Sequence, residues 1–297
     1  MIEKIKKKLS KLESNIFYDY NIGQFTWFRT GGNAKVYIIV KDNKELEIIL
    51  NEINGYKYFV LGAGSNLLVR DRGYDGIIMK LGKGFNQIKI NDNNIHVGAS
   101  ILDTNLSNFA KKNEIEGFEF FSGIPGTIGG AIKMNAGCFG RETKDNLKKI
   151  LAYDKSGKKK FISSSEINLD YRSSNINEST IISEAVFTFD YGDKDEIEDK
   201  ILKVKEKRLL SQPIKEKTSG STFKNPQGNF AAKLIQSAGC KGMTVGDAMV
   251  SPLHSNFLIN RGNATASDIE NLGNLIKEKV HKKFNIDLNW EVKIIGK

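Results

Sequence analysis

From residue 123 to residue 140 the chain reads Gly-Ile-Pro-Gly-Thr-Ile-Gly-Gly, four further residues, then Asn-Ala-Gly-Cys-Phe-Gly. So dense a glycine run leaves main chain uncovered and costs much conformational entropy on folding, which suits a simple core segment poorly. Something flat or anionic is expected against it, with plain structural packing the alternative. Two shorter glycine loops come before it. Tyr58 to Leu61 reads as a strand that runs into Gly62-Ala63-Gly64-Ser65-Asn66, and Phe28-Arg29-Thr30-Gly31-Gly32-Asn33-Ala34 sets a glycine pair before another strand. At the first of these, inward-turned amides could meet a diphosphate, with Ser65 and Asn66 adding hydrogen bonds; a tight turn is equally compatible. It is not the dinucleotide fingerprint GxGxxG, because Leu67 stands at the last glycine position, and no GxxxxGK[ST] occurs. Taken together, the three loops point to a nucleotide cofactor held by backbone.

A length of 297 residues suggests two packed units, at roughly 100 to 200 residues per domain. Cys138 and Cys240 make neither a disulfide framework nor a CxxC metal pattern, so a reducing cytoplasm is the expected location and no metal is expected. No apolar run approaches the roughly 20 residues of a membrane helix. The opening MIEKIKKKLSKLESN lacks a signal-peptide core, so no membrane insertion or export is expected. Forty-five lysines and arginines against 35 acids leave a net charge of +10, which raises nucleic acid as a partner. The basic clusters are, however, scattered among acids, without the interleaved aromatics of a base-stacking platform. Anionic small molecules, and no nucleic acid, are the expected partners.

Periodicity predicts strands over residues 36–40, 58–61, 76–81, 94–100, 149–153 and 160–162, with a turn at Asp154-Lys155-Ser156-Gly157 and a long β-rich stretch over 180–190. Helices are expected over 45–53, 103–114, 196–210 and 230–238, and over a last one opened by a Ser267-x-x-Glu270 capping box and ending near Phe284. Leu288, Trp290, Val292 and Ile294 alternate with polar residues as a final half-buried strand, putting Glu291 on its polar face. Mixed elements without a strict βα repeat indicate α+β lobes, with the main boundary in or just after the helix that precedes Pro213.

Several groups could do chemistry. Arg172, beside Tyr171, could clamp a carboxylate or stabilise an enolate, with a surface ion pair as the alternative. Ser221 lies between Gly220 and Lys224 outside any GxSxG setting, as a proton relay or a backbone cap. His254 precedes the apolar run Phe257-Leu258-Ile259, whereas His96 reads as a structural imidazole within a strand.

Read together, GAGSN, GIPGTIGG with NAGCFG, YRSS, GSTFKNP, AGCKG, HSNFLIN and the terminal WEVKIIG closely resemble the UDP-N-acetylenolpyruvoylglucosamine reductases, also called UDP-N-acetylmuramate dehydrogenases (the MurB family), in their compact form. The similarity spans residues 25–296, with the motifs in family order. It implies a two-lobed FAD-binding unit of the vanillyl-alcohol-oxidase type, residues 1–80 and 81–207, then an α+β substrate domain, residues 208–297. It also implies NADPH as co-substrate and reduction of UDP-N-acetylglucosamine enolpyruvate for peptidoglycan, by a monomer.

On the same resemblance the FAD diphosphate rests on Gly62, Ala63, Gly64, Ser65 and Asn66. Gly123, Ile124, Pro125, Gly126, Gly129, Gly130, Asn135 and Gly137 line the flavin. Arg172 and Glu291 polarise the substrate carboxylate and stabilise the intermediate, Ser221 gives a proton to C2, and Tyr171, Lys224, Asn225 and His254 face the substrate. Phe139 stands where relatives have tyrosine, and Cys138, where they have alanine, is expected to be inert packing. No histidine precedes His96, so the flavin is expected to be noncovalent. An oxidase of the same fold and a basic RNA-binding module are the competing readings.

Overall fold

The structure, a computed structural model, describes residues 2–297, which divide into two compact units. The first comprises the segment ending at Asp19 with Lys35–Ala63 and Gly76–Glu206; the second comprises Tyr20–Ala34, Gly64–Asp75 and Lys207–Lys297.

The first unit carries a four-stranded sheet of order Asn15–Asn21, Asn33–Val40, Tyr74–Leu81, Tyr58–Val60. Tyr58–Val60 runs parallel to residues 77–79, and the helix Asn43–Glu52 leads into it from the strand Asn33–Val40. That helix starts where expected for a local reason: Asp42 accepts the Glu45 amide at 2.9 Å as N-cap. Leu46, Ile49 and Leu50 then share its buried face, against which the helix Ile2–Leu9 places Ile5 and Leu9. The Ile2–Leu9 helix and the Asn15–Asn21 strand are absent from the sequence reading. The strand has no alternating burial and offered no period to read.

A second, five-stranded antiparallel sheet follows in the order Lys159–Ser163, Leu147–Tyr153, Ile181–Thr188, Asn94–Gly98, Ile88–Asn91. Its central strand, Ile181–Thr188, is buried almost throughout. The expected turn at Asp154 is present: Asp154 Oδ1 accepts the Ser156 and Lys158 amides at 2.8 and 3.1 Å, and Gly157 takes a φ of 79°. The helix Asp103–Lys112 and a cluster of Phe118, Phe120, Phe121 and Phe187 complete this core.

The second unit is assembled from sequence-distant pieces. Leu67–Val69 pairs in parallel with Lys293–Ile295, and a three-stranded sheet joins Thr244–Val245, Ala248–Val250 and Leu258–Asn260. The helices Ala231–Ser237 and Ala266–Phe284 pack on a core that includes Phe28, Leu68, Phe223 and Leu288.

Two expectations need correction here. The long helix is capped by Thr265 and Asp268, not by Ser267 and Glu270: Thr265 Oγ1 accepts the Asp268 amide at 3.0 Å and Asp268 returns a bond to the Thr265 amide at 2.9 Å. Ser267 and Glu270 have other partners. Asp71 accepts the Ser267 amide at 2.9 Å, and Glu270 takes a two-pronged bond from Arg70 at 2.7 and 2.8 Å. The final strand is shorter than its alternation suggests, Lys293–Ile295 only, because Leu67–Val69 offers just three residues of partner. Trp290 upstream instead makes an isolated bridge to Phe223 and lays its indole on Gly273, where a Cβ would overlap the ring.

Candidate active site

In the first unit two of the glycine loops meet. The Leu61 amide donates to Met79 at 2.7 Å, which ends the parallel strand pair and delivers Gly62 beside the glycine run. A Cβ at Gly62 would come within 2.7 Å of Thr127 Oγ1, and one at Gly129 within 3.2 Å of Ala99 Cβ. The run hangs on residues 99–103 by backbone bonds: Asp103 N to Gly126 O at 3.1 Å, Ile128 N to Ile101 O at 2.9 Å and Gly129 N to Ala99 O at 3.0 Å. Such close approach requires bare backbone, and Gly130, just beyond, is exposed. Gly123 is buried, whereas Ile124, Pro125, Gly126 and Gly137 are half-buried.

Asn135 is buried at a φ of 39°, its Nδ2 donating to Glu142 Oε2 and Asp170 O at 3.1 and 3.2 Å, its Oδ1 accepting the Lys144 amide at 3.0 Å. Its amide group is engaged in locking the turn that follows the helix Ile128–Lys133. The turn leads into a small hairpin, Gly137–Cys138 with Arg141–Glu142. Arg172 reaches the same place. Its backbone holds a φ of 52°, its Nη2 donates to Gly137 O at 2.9 Å, and its guanidinium lies 5.0 Å from the exposed Tyr171 ring. Phe139, also left-handed at 50°, is exposed, and Cys138 packs on the core.

In the second unit residues 218–225 thread between two other stretches. Ser221 bridges Phe257, the Thr222 amide donates to Asn256 O at 2.7 Å, and Asn256 clasps the Phe223 backbone from both sides at 3.0 and 2.8 Å. On the other flank Glu291 N donates to Thr222 O at 2.8 Å and Lys224 N to Asn289 O at 2.9 Å. Asn66 fastens this flank, giving its Nδ2 to Glu291 O at 3.0 Å and accepting Lys293 N at 3.1 Å. Ser65, Asn66, Ser221, Lys224 and Glu291 are half-buried, and Gly64 is packed on Phe25 with a φ of 69°. Ala63, half-buried, belongs to the first unit.

His254 is half-buried edge-on to Phe257, ring centroids 4.6 Å apart, and its Nδ1 accepts the Asn256 amide at 3.3 Å. Burial lowers its pKa, so the ring is neutral with the proton on Nε2. Asn225 is exposed, and its Oδ1 accepts the amide of Ala231, the first residue of the helix Ala231–Ser237, at 3.0 Å.

The third glycine loop does something else. Gly31 sits against Val69 O and Gly32 against Asp71 O and Gly73 N, so these glycines exist for backbone-to-backbone packing within the second unit and offer no cradle. Sequence reasoning also missed a set of buried side-chain oxygens that have no partner among the described residues: Thr218, Ser219 and Ser255 in the second unit, and Asp103, Ser107 and Ser122 in the first. Nothing in composition or periodicity distinguishes them from capping residues.

Comparison with known proteins gives a family for both units. Residues 34–160 match the family described as FAD binding domain, and residues 212–295 match the C-terminal domain of UDP-N-acetylenolpyruvoylglucosamine reductase. The reductase of Rickettsia typhi is 44% identical over 94% of this chain and 95% of its own length, and that of Rickettsia prowazekii is also 44% identical over 94%. The crystal structure of UDP-N-acetylenolpyruvylglucosamine reductase from Thermus caldophilus aligns at a TM-score of 0.83 and 31% identity, covering 96% of this chain and 99% of its own. The first unit's residues fit an FAD. Glycine main chain left half-buried or exposed at Gly62, Gly126, Gly129 and Gly130, with a guanidinium at Gly137, suits a flat ring system carrying a diphosphate.

Proposed function

The chain belongs to the UDP-N-acetylenolpyruvoylglucosamine reductase family, and from that premise we propose that it reduces UDP-N-acetylglucosamine enolpyruvate to UDP-N-acetylmuramate with NADPH, in peptidoglycan precursor synthesis. It is an FAD-dependent oxidoreductase with an α+β fold. Noncovalently bound FAD supplies a hydride acceptor for NADPH and a hydride donor to C3 of the enolpyruvyl group. Residues 62–66 hold its diphosphate through main-chain amides, and the glycine run from Gly123 to Gly137 lines its ring system.

Arg172 carries a permanent positive charge, orients the substrate carboxylate and stabilises the negative charge that builds toward it as C3 is reduced. Ser221 then delivers the proton to C2, which completes the addition of one hydride and one proton across the double bond. An alcohol is a weak acid, so Lys224 or water must share the charge left on the hydroxyl. Glu291 acts protonated, or by orienting a cation, since a bare carboxylate would repel an enolate. Tyr171, Lys224, Asn225 and His254 bind substrate, with His254 donating through Nε2 as a neutral ring.

The observation that best supports this reading is the adjoining backbone of Ser221 and Glu291, with Glu291 N bonded to Thr222 O at 2.8 Å. We take the working enzyme to be a cytoplasmic monomer. No helix among the described residues is long and apolar enough to cross a membrane. The test is anaerobic: yellow protein should bleach on adding NADPH and recover its colour on adding the enolpyruvyl sugar nucleotide. Colour that persists through both additions overturns the reading.

A further inference from the structure

The helix Asp103–Lys112 begins with an aspartate that the proposed chemistry leaves unused. Asp103 is fully buried, and neither of its carboxyl oxygens has a hydrogen-bond partner among the described residues. Its Oδ2 lies so near Gly126 that a Cβ there would come within 2.5 Å of it, while its own amide donates to Gly126 O at 3.1 Å. Four residues on, on the same helix face, Ser107 is equally buried with an unpartnered Oγ. A carboxylate in such a place would be an uncompensated buried charge, whereas a carboxylic acid is a compact neutral group.

The titratable groups on the surrounding elements are Lys111 and Lys112 at the far end of the helix, Glu116 on the strand Ile115–Glu116, Glu119 on the turn Glu119–Gly123, and Lys133 on the helix Ile128–Lys133. Lys111 pairs with Glu198 at 2.9 Å, Glu119 lies 3.9 Å from Lys200, and Lys133 donates to Asn177 O at 2.7 Å. No charge among them acts on Asp103; burial raises its carboxyl well above the usual carboxylate range, with the Gly126 backbone a smaller opposing influence.

We propose that Asp103 is a positioning residue for the glycine run: as a neutral acid wedged against Gly126 it sets where the backbone of residues 123–130 lies, and so how tightly the run takes FAD. This rests on the FAD reading above and goes beyond it by making cofactor affinity depend on one proton inside the protein. The linkage has a definite sign. The folded carboxyl holds its proton above the unfolded value of roughly 3.9. The contribution to stability is therefore whole below that pH and is lost as pH rises toward the folded pKa. Within the folded protein, losing that proton would leave an uncompensated charge wedged against Gly126 and disturb the run, so FAD affinity should weaken on the alkaline side.

The experiment is FAD titration of the apoprotein by fluorescence quenching from about pH 6 to about pH 9, well below the pKa of arginine and mostly below that of lysine. Wild type, Asp103→Asn and Asp103→Ala are compared, with circular dichroism to confirm folding. Asp103→Asn, neutral and of the same shape, should bind FAD within about threefold of wild type at low pH and lose the alkaline weakening; Asp103→Ala should bind roughly tenfold or more weakly throughout. A wild-type affinity that follows the same pH course as Asp103→Asn, or an Asp103→Ala that binds as wild type does, overturns the proposal while leaving the FAD reading intact. Failure of wild type to bind FAD at any pH overturns both. If Asp103→Ala does not fold, the comparison of wild type with Asp103→Asn still decides.

Discussion

Ser221 illustrates how one side chain can be tested apart from its neighbours. Its backbone is fixed by the bridge to Phe257, so Ser221→Ala removes a hydroxyl and little else. Flavin reduction by NADPH should stay near the wild-type rate while reoxidation by the enolpyruvyl substrate slows by roughly 10²- to 10⁴-fold, the usual scale of a lost acid. Stopped-flow spectra of the two half-reactions read this directly, and equal slowing of both would remove the serine from the donor role. His254 gives a second test at this scale. Its folded pKa lies below that of the unfolded ring because burial disfavours the imidazolium. The unfolded chain therefore binds more protons between the two values, and the stability His254 contributes is lost as pH falls below about 6.5. His254→Gln should flatten that acid-side loss in urea titrations, and an unchanged slope would contradict the assignment. Both residues stand out in the sequence because motif and chemistry coincide at them. Asp103 does not: an aspartate at a helix start looks like any other, and only the fold reveals that its carboxyl is buried against Gly126 with no side-chain partner.

Elements were legible wherever local pattern decided them and not where a distant partner did. The helix Asn43–Glu52 and the turn at Asp154 follow from a cap and a turn residue within a few positions. The start of Ala266–Phe284 did not, because Ser267 and Glu270 look like a capping box but are drawn off by Asp71 and Arg70, almost two hundred positions upstream. The observed cap makes a clean forecast. Thr265→Ala should cost about 1 kcal/mol, within the range for lost N-caps, and lower the melting temperature by a few degrees. Calorimetry would show it, and a variant as stable as wild type would return the cap to the residues first expected. The third glycine loop teaches the same lesson: Gly31 and Gly32 were read as a cofactor loop, but their spacing serves main chains in contact.

At the scale of the whole molecule the sequence is least transparent, since the second unit draws on Tyr20–Ala34 and Gly64–Asp75 as well as on the stretch from Lys207 to Lys297. No periodicity announces that Leu67–Val69 and Lys293–Ile295 are neighbours. A fragment of residues 207–297 alone would lack Phe28 and Leu68 from its core and leave the Lys293–Ile295 strand without its partner. It should therefore show no cooperative thermal transition, and a sharp two-state melt would refute that dependence.

The same pairing also imposes an order in time. A ribosome makes Leu67–Val69 long before Lys293–Ile295, an interval on the order of ten seconds or more at cellular rates of elongation. Through that wait the nascent polypeptide presents a bare apolar ribbon to whatever surrounds it. This half therefore cannot cover the edge of Leu67–Val69 until the strand Lys293–Ile295 has been made.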